Sequence, residues 1–160
     1  MKMIWPAIGL CLVAAAVAHA GPTDVAYPDG YRHWTHVKSA TIDPGSPAFA
    51  HFGGIHHIYA NPQALRGYAA KTFPKGSVLV FDVLEWKVDQ GSSVSGARRI
   101  VDVMEKDPTR FAATGGWGFT EFHADSHTER SIGADNPASA CAQCHAAHGR
   151  QDGVFSAFVE

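Results

Sequence analysis

Apolar residues run almost without interruption through the segment SVLVFDVLEWKV at residues 77–88. A turn signal, Pro74-Lys75-Gly76, comes directly before this segment. β-Branched and aromatic residues favour extended structure, and an apolar run without polar alternation is typical of a strand that is covered on both faces. We therefore predict a strand over residues 77–88.

Three shorter segments also have the composition of strands. They are IHHIYA at residues 55–60, RRIVDVM at 98–104 and WGFTEF at 117–122. Gly53-Gly54 and Asn61-Pro62 bound the first of them, as turn residues bound a strand. Together with the longer strand, these segments predict a small antiparallel sheet.

The connections between these strands carry weaker signals. Residues 63–70 consist mainly of helix formers after Pro62, which suits a first helical turn, so we predict a short helix there. Regular structure begins between residues 31 and 38, and Pro and Gly predict a loop at 43–47. The polar segment at 123–140 has no periodicity and predicts a long loop or lid.

The first 20 residues differ from the rest of the chain. Lys2 precedes a mostly apolar run at residues 4–17, and the small residues Ala18-His19-Ala20 follow as a cleavage site. This arrangement predicts a secretory signal peptide. The run contains Pro6 and is shorter than the roughly 20 residues that span a bilayer, which argues against a membrane anchor.

These boundaries predict the organisation of the protein. We expect a cleaved signal over residues 1–20, an extended leader over 21–30 and a single domain over 31–160, located in the periplasm. The mature chain would keep 12 Lys and Arg against 15 Asp and Glu, because Lys2 leaves with the signal, and its formal net charge would be 12 − 15 = −3. This charge argues against a nucleic acid or an anionic membrane as a partner.

The two thiols that remain after Cys11 is removed stand in the sequence Cys141-Ala142-Gln143-Cys144-His145. Cys-x-x-Cys-His is the attachment signature of c-type haem. Each thiol can add to one vinyl group of the porphyrin, and the adjacent His becomes the proximal ligand of the iron. The motif therefore predicts one covalent haem c held by Cys141 and Cys144, with His145 as its metal ligand.

Other readings of the motif account for it less well. A structural zinc site needs about four ligands, and the chain has no second Cys pair. A redox-active dithiol of the thioredoxin type belongs to the start of a helix near a βαβ unit, whereas this motif follows a predicted loop. A disulfide would leave His145 without a role.

The sixth ligand of the iron decides between electron transfer and chemistry on a small ligand. Met104 is the one Met left after the signal is removed. From composition we interpret it as a core or strand-end side chain, not as an iron ligand. Eight further His residues survive processing, and adjacent strand residues such as His56 and His57 face opposite sides. The eight are His33, His36, His51, His56, His57, His123, His127 and His148.

Four segments of the chain, taken in order, resemble the cytochrome P-460 family, which includes the cytochromes c′-beta. They are HVKSATIDPGSPAFAHFGGIHHIYAN, YAAKTFPKGSVLVFDVLE, DPTRFAATGGWGFTEF, and the haem motif followed by DGVFSAF. The resemblance covers about residues 30–158. It implies a mainly β (α+β) fold, an antiparallel sheet with a few helices, often as a homodimer. It also implies a five-coordinate c-type haem with an open or aromatic-capped distal side.

The family divides by function, and two residues bear on the division. Some members oxidise hydroxylamine with a haem cross-linked to a lysine upstream of an F-x-x-G turn; the cytochromes c′-beta lack the link and bind nitric oxide or related gases. Here the turn is Phe73 to Gly76, and Lys71 is the nearest preceding lysine. The family's linking lysine stands further upstream, at Tyr68 to Ala70 here, so Lys71 departs from the pattern. Phe73 is a candidate distal aromatic or a core residue beside the turn.

Two hypotheses follow. The first is a periplasmic mono-haem c-type cytochrome with an open distal site that binds or oxidises nitric oxide or hydroxylamine, with Glu121 or Asp125 as a candidate proton acceptor. The alternative is a six-coordinate electron-transfer cytochrome with a His such as His56 or His57 as its sixth ligand. Electron transfer or the oxidation of hydroxylamine would use a redox partner such as another cytochrome, whereas a protein that binds gas without turnover is not an enzyme.

Overall fold

The computed structural model describes residues 25–131 and 138–158. Its main element is a five-stranded antiparallel sheet in which each strand pairs with the next, in the order β1-β2-β3-β4-β5. The strands are β1 Thr35–Ile42, β2 Gly54–Ala60, β3 Val78–Asp89, β4 Ser92–Lys106 and β5 Trp117–His123. The helices of the described residues are α1 Phe49–Phe52, α2 Pro62–Ala70 and α3 Ala138–His148, with 3-10 turns at Tyr31–His33 and Ala112–Thr114. The predicted mainly β fold is confirmed.

The strand predictions hold in position and differ in length. β4 begins at Ser92, six residues before the predicted 98–104 segment. Gln90 and Gly91 both have positive φ angles, of 46° and 81°, and form a two-residue turn that joins β3 to β4. The first half of β4 is polar, so composition does not predict it as a strand. It is extended because it pairs with β3 across this turn.

The prediction that β3 is covered on both faces holds for its first half. Residues 79–84 are buried, except for the half-buried Phe81. Beyond Glu85, β3 pairs only with β4, and the side chains of Trp86 and Val88 are exposed. The apolar run therefore describes two environments, a covered strand and an exposed ribbon.

The prediction of a loop over residues 123–140 is wrong in its last part. Residues 132–137 lie outside the described part of the chain, and α3 begins at Ala138 and contains the whole motif. Ala is the best helix former and supplies five of the eleven residues of α3, although their apolar positions follow no helical periodicity. The motif thus lies near the start of a helix, but the sheet is antiparallel and the described residues contain no βαβ unit, which argues against a thioredoxin-type dithiol.

The sheet has a helix face and a leader face, defined by the side chains on each. Directly paired residues share a face, so the rows Ala60-Leu79-Met104-Phe119 and Ile58-Phe81-Asp102-Glu121 lie on the helix face. There Leu79 and Phe119 share one core cluster with residues of α2, α3 and the C-terminal segment. The leader face carries the second cluster, formed by Val25, Tyr31, Val80, Val101, Val103, Phe111 and Phe122.

The leader and signal predictions fall mostly outside the structure. Residues 1–24 lie outside the described residues. Val25 is 1% exposed and belongs to the second core cluster, so the described end of the leader packs on the sheet. No helix among the described residues is long and apolar enough to cross a membrane.

Candidate functional site

Helix α3 presents the two thiols of the Cys-x-x-Cys-His motif three residues apart, which places them on one side of the helix. Cys141 is partly buried against the core cluster of the helix face, Cys144 is exposed, and no disulfide joins them. Burial, together with the charges of the Asp102 and Glu121 carboxylates, raises the pKa of the Cys141 thiol to about 11. The attacking thiol of a redox-active dithiol has a lowered pKa, so the raised pKa of Cys141 argues against that role.

His145, on the same helix, is held in one orientation by its Nδ1 atom. Nδ1–H donates to the carbonyl oxygen of Gly153 across 2.7 Å, which leaves the Nε2 lone pair without a hydrogen bond inside the described residues. Burial lowers the pKa of His145, so the ring is neutral at pH 7. A neutral imidazole with Nδ1–H bound to a carbonyl is the form that ligates a metal through Nε2.

Two aromatic rings flank His145. The ring centroid of Phe119 on β5 lies 5.1 Å away and that of Phe155 lies 4.6 Å away. Phe155 is 44% exposed. A large apolar side chain left open beside a metal-binding imidazole provides a surface that a flat apolar group can cover.

A pair of acidic residues lies on the helix face, in neighbouring strands. Asp102 on β4 pairs directly with Glu121 on β5. Burial and the charge of the neighbouring Glu121 raise the pKa of Asp102 well above its usual value. Both groups also raise the pKa of Cys141, so the acid pair lies near its sulfur.

Glu121 joins this acid pair to the solvent. Its Oε2 accepts a hydrogen bond from His51 Nε2 across 2.6 Å, and the two side chains are 3% and 46% exposed. Its second oxygen, Oε1, is buried and makes no hydrogen bond within the described residues. Glu121 therefore has one oxygen available inside the protein and one in contact with a solvent-exposed base.

His56 and His57 are separated by the sheet, as strand alternation predicts. His56 is buried on the helix face, 4.5 Å from the Phe81 ring centroid, and its Nδ1 has no hydrogen-bond partner in the described residues. Burial, aided by Lys38 and His57, lowers the pKa of His56 to about 4. His57 instead lies on the leader face, with Nδ1 2.6 Å from the hydroxyl of Ser39.

The other candidate histidines lie at the surface. His33, His123 and His148 are exposed, and the described residues contain no group of three or more His, Cys, Asp or Glu side chains that could hold a metal ion. His36 contacts the Ser39 hydroxyl at 2.8 Å, and His127 contacts Asp29 at 2.9 Å. Among the eight, His51 and His56 are the two placed on the helix face by their contacts.

Lys71 and Phe73 lie at the end of α2 in different surroundings. Lys71 is the exposed C-cap of this helix, with a φ of 60°, and its side chain makes no ion pair or hydrogen bond with the described residues. Phe73 is 2% exposed and packs between Tyr68 and Trp117, with centroids 5.0 and 5.5 Å away. It belongs to the same core cluster as Cys141.

Met104 and Asp125 complete the sequence candidates. Met104 is partly buried and packs on the core cluster of the helix face. Asp125 is exposed and binds Arg98, whose guanidinium also holds the buried Asp82 on the leader face, so Asp125 is turned away from the acid pair. Of the two carboxylates proposed from the sequence, Glu121 is the one beside the motif.

Sequence reasoning missed Asp102 and the carbonyl of Gly153, and it named His51 as a candidate iron ligand but not as the partner of Glu121. Asp102 left a signal, because it is the polar residue inside the apolar run IVDVM. His51 stands in a four-residue helix that composition does not reveal. Gly153 contributes its backbone carbonyl, a group that every residue has and that the sequence therefore does not mark.

Comparison with known proteins gives one result for this chain. The sequence profile of the family described as Cytochrome P460 matches residues 28–156. This range includes all five strands, the three helices and the Asp102–Glu121 pair. A search of curated proteins finds no match.

Proposed function

The chain belongs to the cytochrome P460 family, and from that membership we propose that it is a periplasmic mono-haem c-type cytochrome whose open distal site binds or oxidises small nitrogen species such as nitric oxide or hydroxylamine. Membership makes the protein a haem-binding cytochrome. The observation that carries the finer proposal is His145, a neutral imidazole whose Nδ1 is engaged by Gly153 and whose Nε2 is left to bind metal.

The residues of the site fit a covalent haem in three respects. Cys141 and Cys144 lie on one side of α3, directly before His145. Phe155 is an exposed apolar ring beside His145 that the cofactor would cover. Cys141 is a neutral thiol, partly buried near the sheet. When bound, haem iron supplies a site for a diatomic or nitrogenous ligand and a one-electron redox centre.

Glu121 supports the nitrogen chemistry as a proton acceptor. Its unpartnered Oε1 is buried near Cys141, so it can accept a proton from an N–H or O–H group of a bound substrate. His51, on the other oxygen, is exposed to solvent and can pass a proton on. Oxidation of hydroxylamine releases protons together with electrons, and a redox partner protein such as another cytochrome would take the electrons.

An absorption spectrum tests the open site. We expect the reduced protein to be high-spin and five-coordinate, and to bind carbon monoxide or nitric oxide rapidly, because Met104, the one Met among the described residues, packs on the core cluster of the helix face. A low-spin, six-coordinate spectrum without added ligand would overturn the open-site proposal.

The second candidate function is electron transfer by a six-coordinate haem with His56 as sixth ligand. It is favoured by the unpartnered Nδ1 of His56 and by the lowered pKa that keeps this ring neutral. Against it, His56 lies on β2, whereas Phe119, the ring that contacts His145, lies on β5. These two strands are three strand spacings apart, roughly 14 Å across the sheet. His56→Gln would convert a six-coordinate spectrum to a five-coordinate one, and would leave an open-site spectrum unchanged.

Lys71 separates gas binding from hydroxylamine oxidation. Its exposed position and lack of side-chain contacts predict that it carries no haem link. We expect a tryptic map to contain the unmodified Lys71 peptide, and the intact mass to equal the chain from Gly21 plus one haem. A haem-bearing Lys71 peptide, with hydroxylamine turnover, would contradict the prediction and favour the oxidase.

A further inference from the structure

We propose that Asp152, anchored by Lys106, is a positioning residue that fixes the hydrogen bond between Gly153 and His145 and thereby tunes the haem iron. This inference rests on the proposed function, because it assigns a supporting group to the same site. It concerns a cluster of contacts that the sequence motifs and the family profile leave without a role.

The Gly153 carbonyl is delivered by a two-residue turn. Asp152 and Gly153 have φ angles of 48° and 77°, and Val154 N–H donates to the Gln151 carbonyl across 2.9 Å, which is a type I′ turn with the favoured Asp-Gly sequence. The turn folds back on the end of α3, where Gly149 N–H donates to the His145 carbonyl. A Cβ on Gly149 would lie 2.4 Å from the backbone of Gly153, so the two segments are in direct contact.

Asp152 ties this turn to three separate parts of the protein. Its Oδ1 accepts from Lys106 Nζ across 2.7 Å, and its Oδ2 accepts from the Phe73 backbone N–H across 3.1 Å. Its backbone carbonyl accepts from the indole Nε1–H of Trp117 across 2.7 Å. The next carbonyl along the chain is that of Gly153, which binds His145.

Lys106 makes the anchor rigid because it is itself buried. Its side chain is 8% exposed, donates to the Gly115 carbonyl at 3.1 Å and lies over the Trp117 ring at 4.8 Å. Breaking this ion pair by removing Asp152 alone would leave the charge of the largely buried Lys106 without its partner, which is unfavourable. The end of β4 therefore holds the turn firmly in place.

Three of the sequence segments singled out above meet at this point. Phe73 belongs to the FPKG turn, Trp117 to the GGWGF segment and Asp152 to the DGVF segment. Their shared contact is the carboxylate and carbonyl of Asp152, one residue from the acceptor of the His145 hydrogen bond. Phe73 thus reaches the haem ligand through its backbone N–H and the turn.

The effect on the iron follows from the chemistry of the imidazole. A strong hydrogen bond from Nδ1–H makes the ring a better electron donor through Nε2, and it fixes the ring orientation. Gly153 has no side chain, so the direction of its carbonyl depends on the turn and the anchors of Asp152. Loss of the anchor should lengthen this hydrogen bond and weaken the iron–histidine bond.

The test uses the haem-loaded protein and the double variant Lys106→Met/Asp152→Asn. The two substitutions remove both charges together. They change the Asp-Gly sequence of the turn to Asn-Gly, which also favours a type I′ turn. We expect the iron–histidine stretching frequency of the reduced protein to fall, and the reduction potential to rise. The single variant Lys106→Arg, which keeps the ion pair, should retain wild-type values.

A matched control is Val101→Ala, which removes a buried side chain from the leader face and lowers stability without touching the turn. Unchanged frequency and potential in the double variant, or an equal change in Val101→Ala, would overturn the positioning role. If wild-type protein carries no covalent haem, the proposed function fails instead. The positioning role is then tested on that haem-free protein by the rate at which the His145 Nδ1 proton exchanges with solvent. We expect faster exchange in the double variant than in wild type, and equal rates would refute the positioning role.

Discussion

A chain with Cys141→Ser and Cys144→Ser is expected to lose covalent haem completely. Serine hydroxyls do not form thioether bonds to haem. We expect α3 to stay folded in this variant, because the helix already contains a serine, Ser139. Intact mass under denaturing conditions should fall by one haem, and acidified organic solvent should extract any remaining cofactor. Covalent haem in the double variant would contradict the assignment of both thiols.

The single variants separate attachment from packing. Cys144 is exposed, so Cys144→Ser should cost little stability and leave a haem held by one thioether. Cys141 is partly buried, and a hydroxyl placed there without a partner costs about 1–3 kcal/mol. We therefore expect each single variant to hold the haem by one thioether. The unfolding midpoint should fall in Cys141→Ser and stay close to wild type in Cys144→Ser.

His145→Gly gives a complementary result. The thioethers remain, so the haem stays attached, while the iron loses its proximal nitrogen and the spectrum changes. Added imidazole should fill the vacated space between Phe119 and Phe155 and restore the spectrum. Spectral identity between His145→Gly and wild type would remove His145 as the ligand.

The sequence predicted those parts of the site that depend on local spacing. Cys141, Cys144 and His145 form a contiguous motif, and β3 and α2 follow from composition and from Pro62. The helical state of the motif escaped prediction, because the Ala-rich α3 shows no amphipathic pattern. The first half of β4 escaped as well, because its extended state comes from pairing with β3 across Gln90 and Gly91.

The contacts that give the site its chemistry are long-range and could not be predicted in this way. His51 and Glu121 are 70 residues apart, and Phe73 and Asp152 are 79 residues apart. Only the strand register places Asp102 opposite Glu121. A sequence can show that a carboxylate interrupts an apolar strand, but its neighbour across the sheet is fixed by the fold.

The Asp102–Glu121 pair leads to a second large effect, on stability. The folded-state pKa of Asp102 is raised above its value in an unfolded chain, so its favourable contribution is present below that unfolded value, near 3.8, and is lost as pH rises through the folded pKa. We expect Asp102→Asn to remove this loss and to raise the thermal unfolding midpoint at neutral pH. Each unit of raised pKa corresponds to about 1.4 kcal/mol, or roughly 4 °C for a chain of this size.

The pH dependence identifies the cause of that stabilisation. At about pH 3, where the carboxyl is protonated in both states, the midpoints of wild type and Asp102→Asn should agree, and the difference should grow as pH rises. Asp125→Asn is the matched control, because that carboxylate is 78% exposed and faces Arg98. A constant difference at every pH, or a lower midpoint for Asp102→Asn at pH 7, would show that Asp102 is ionised at no cost.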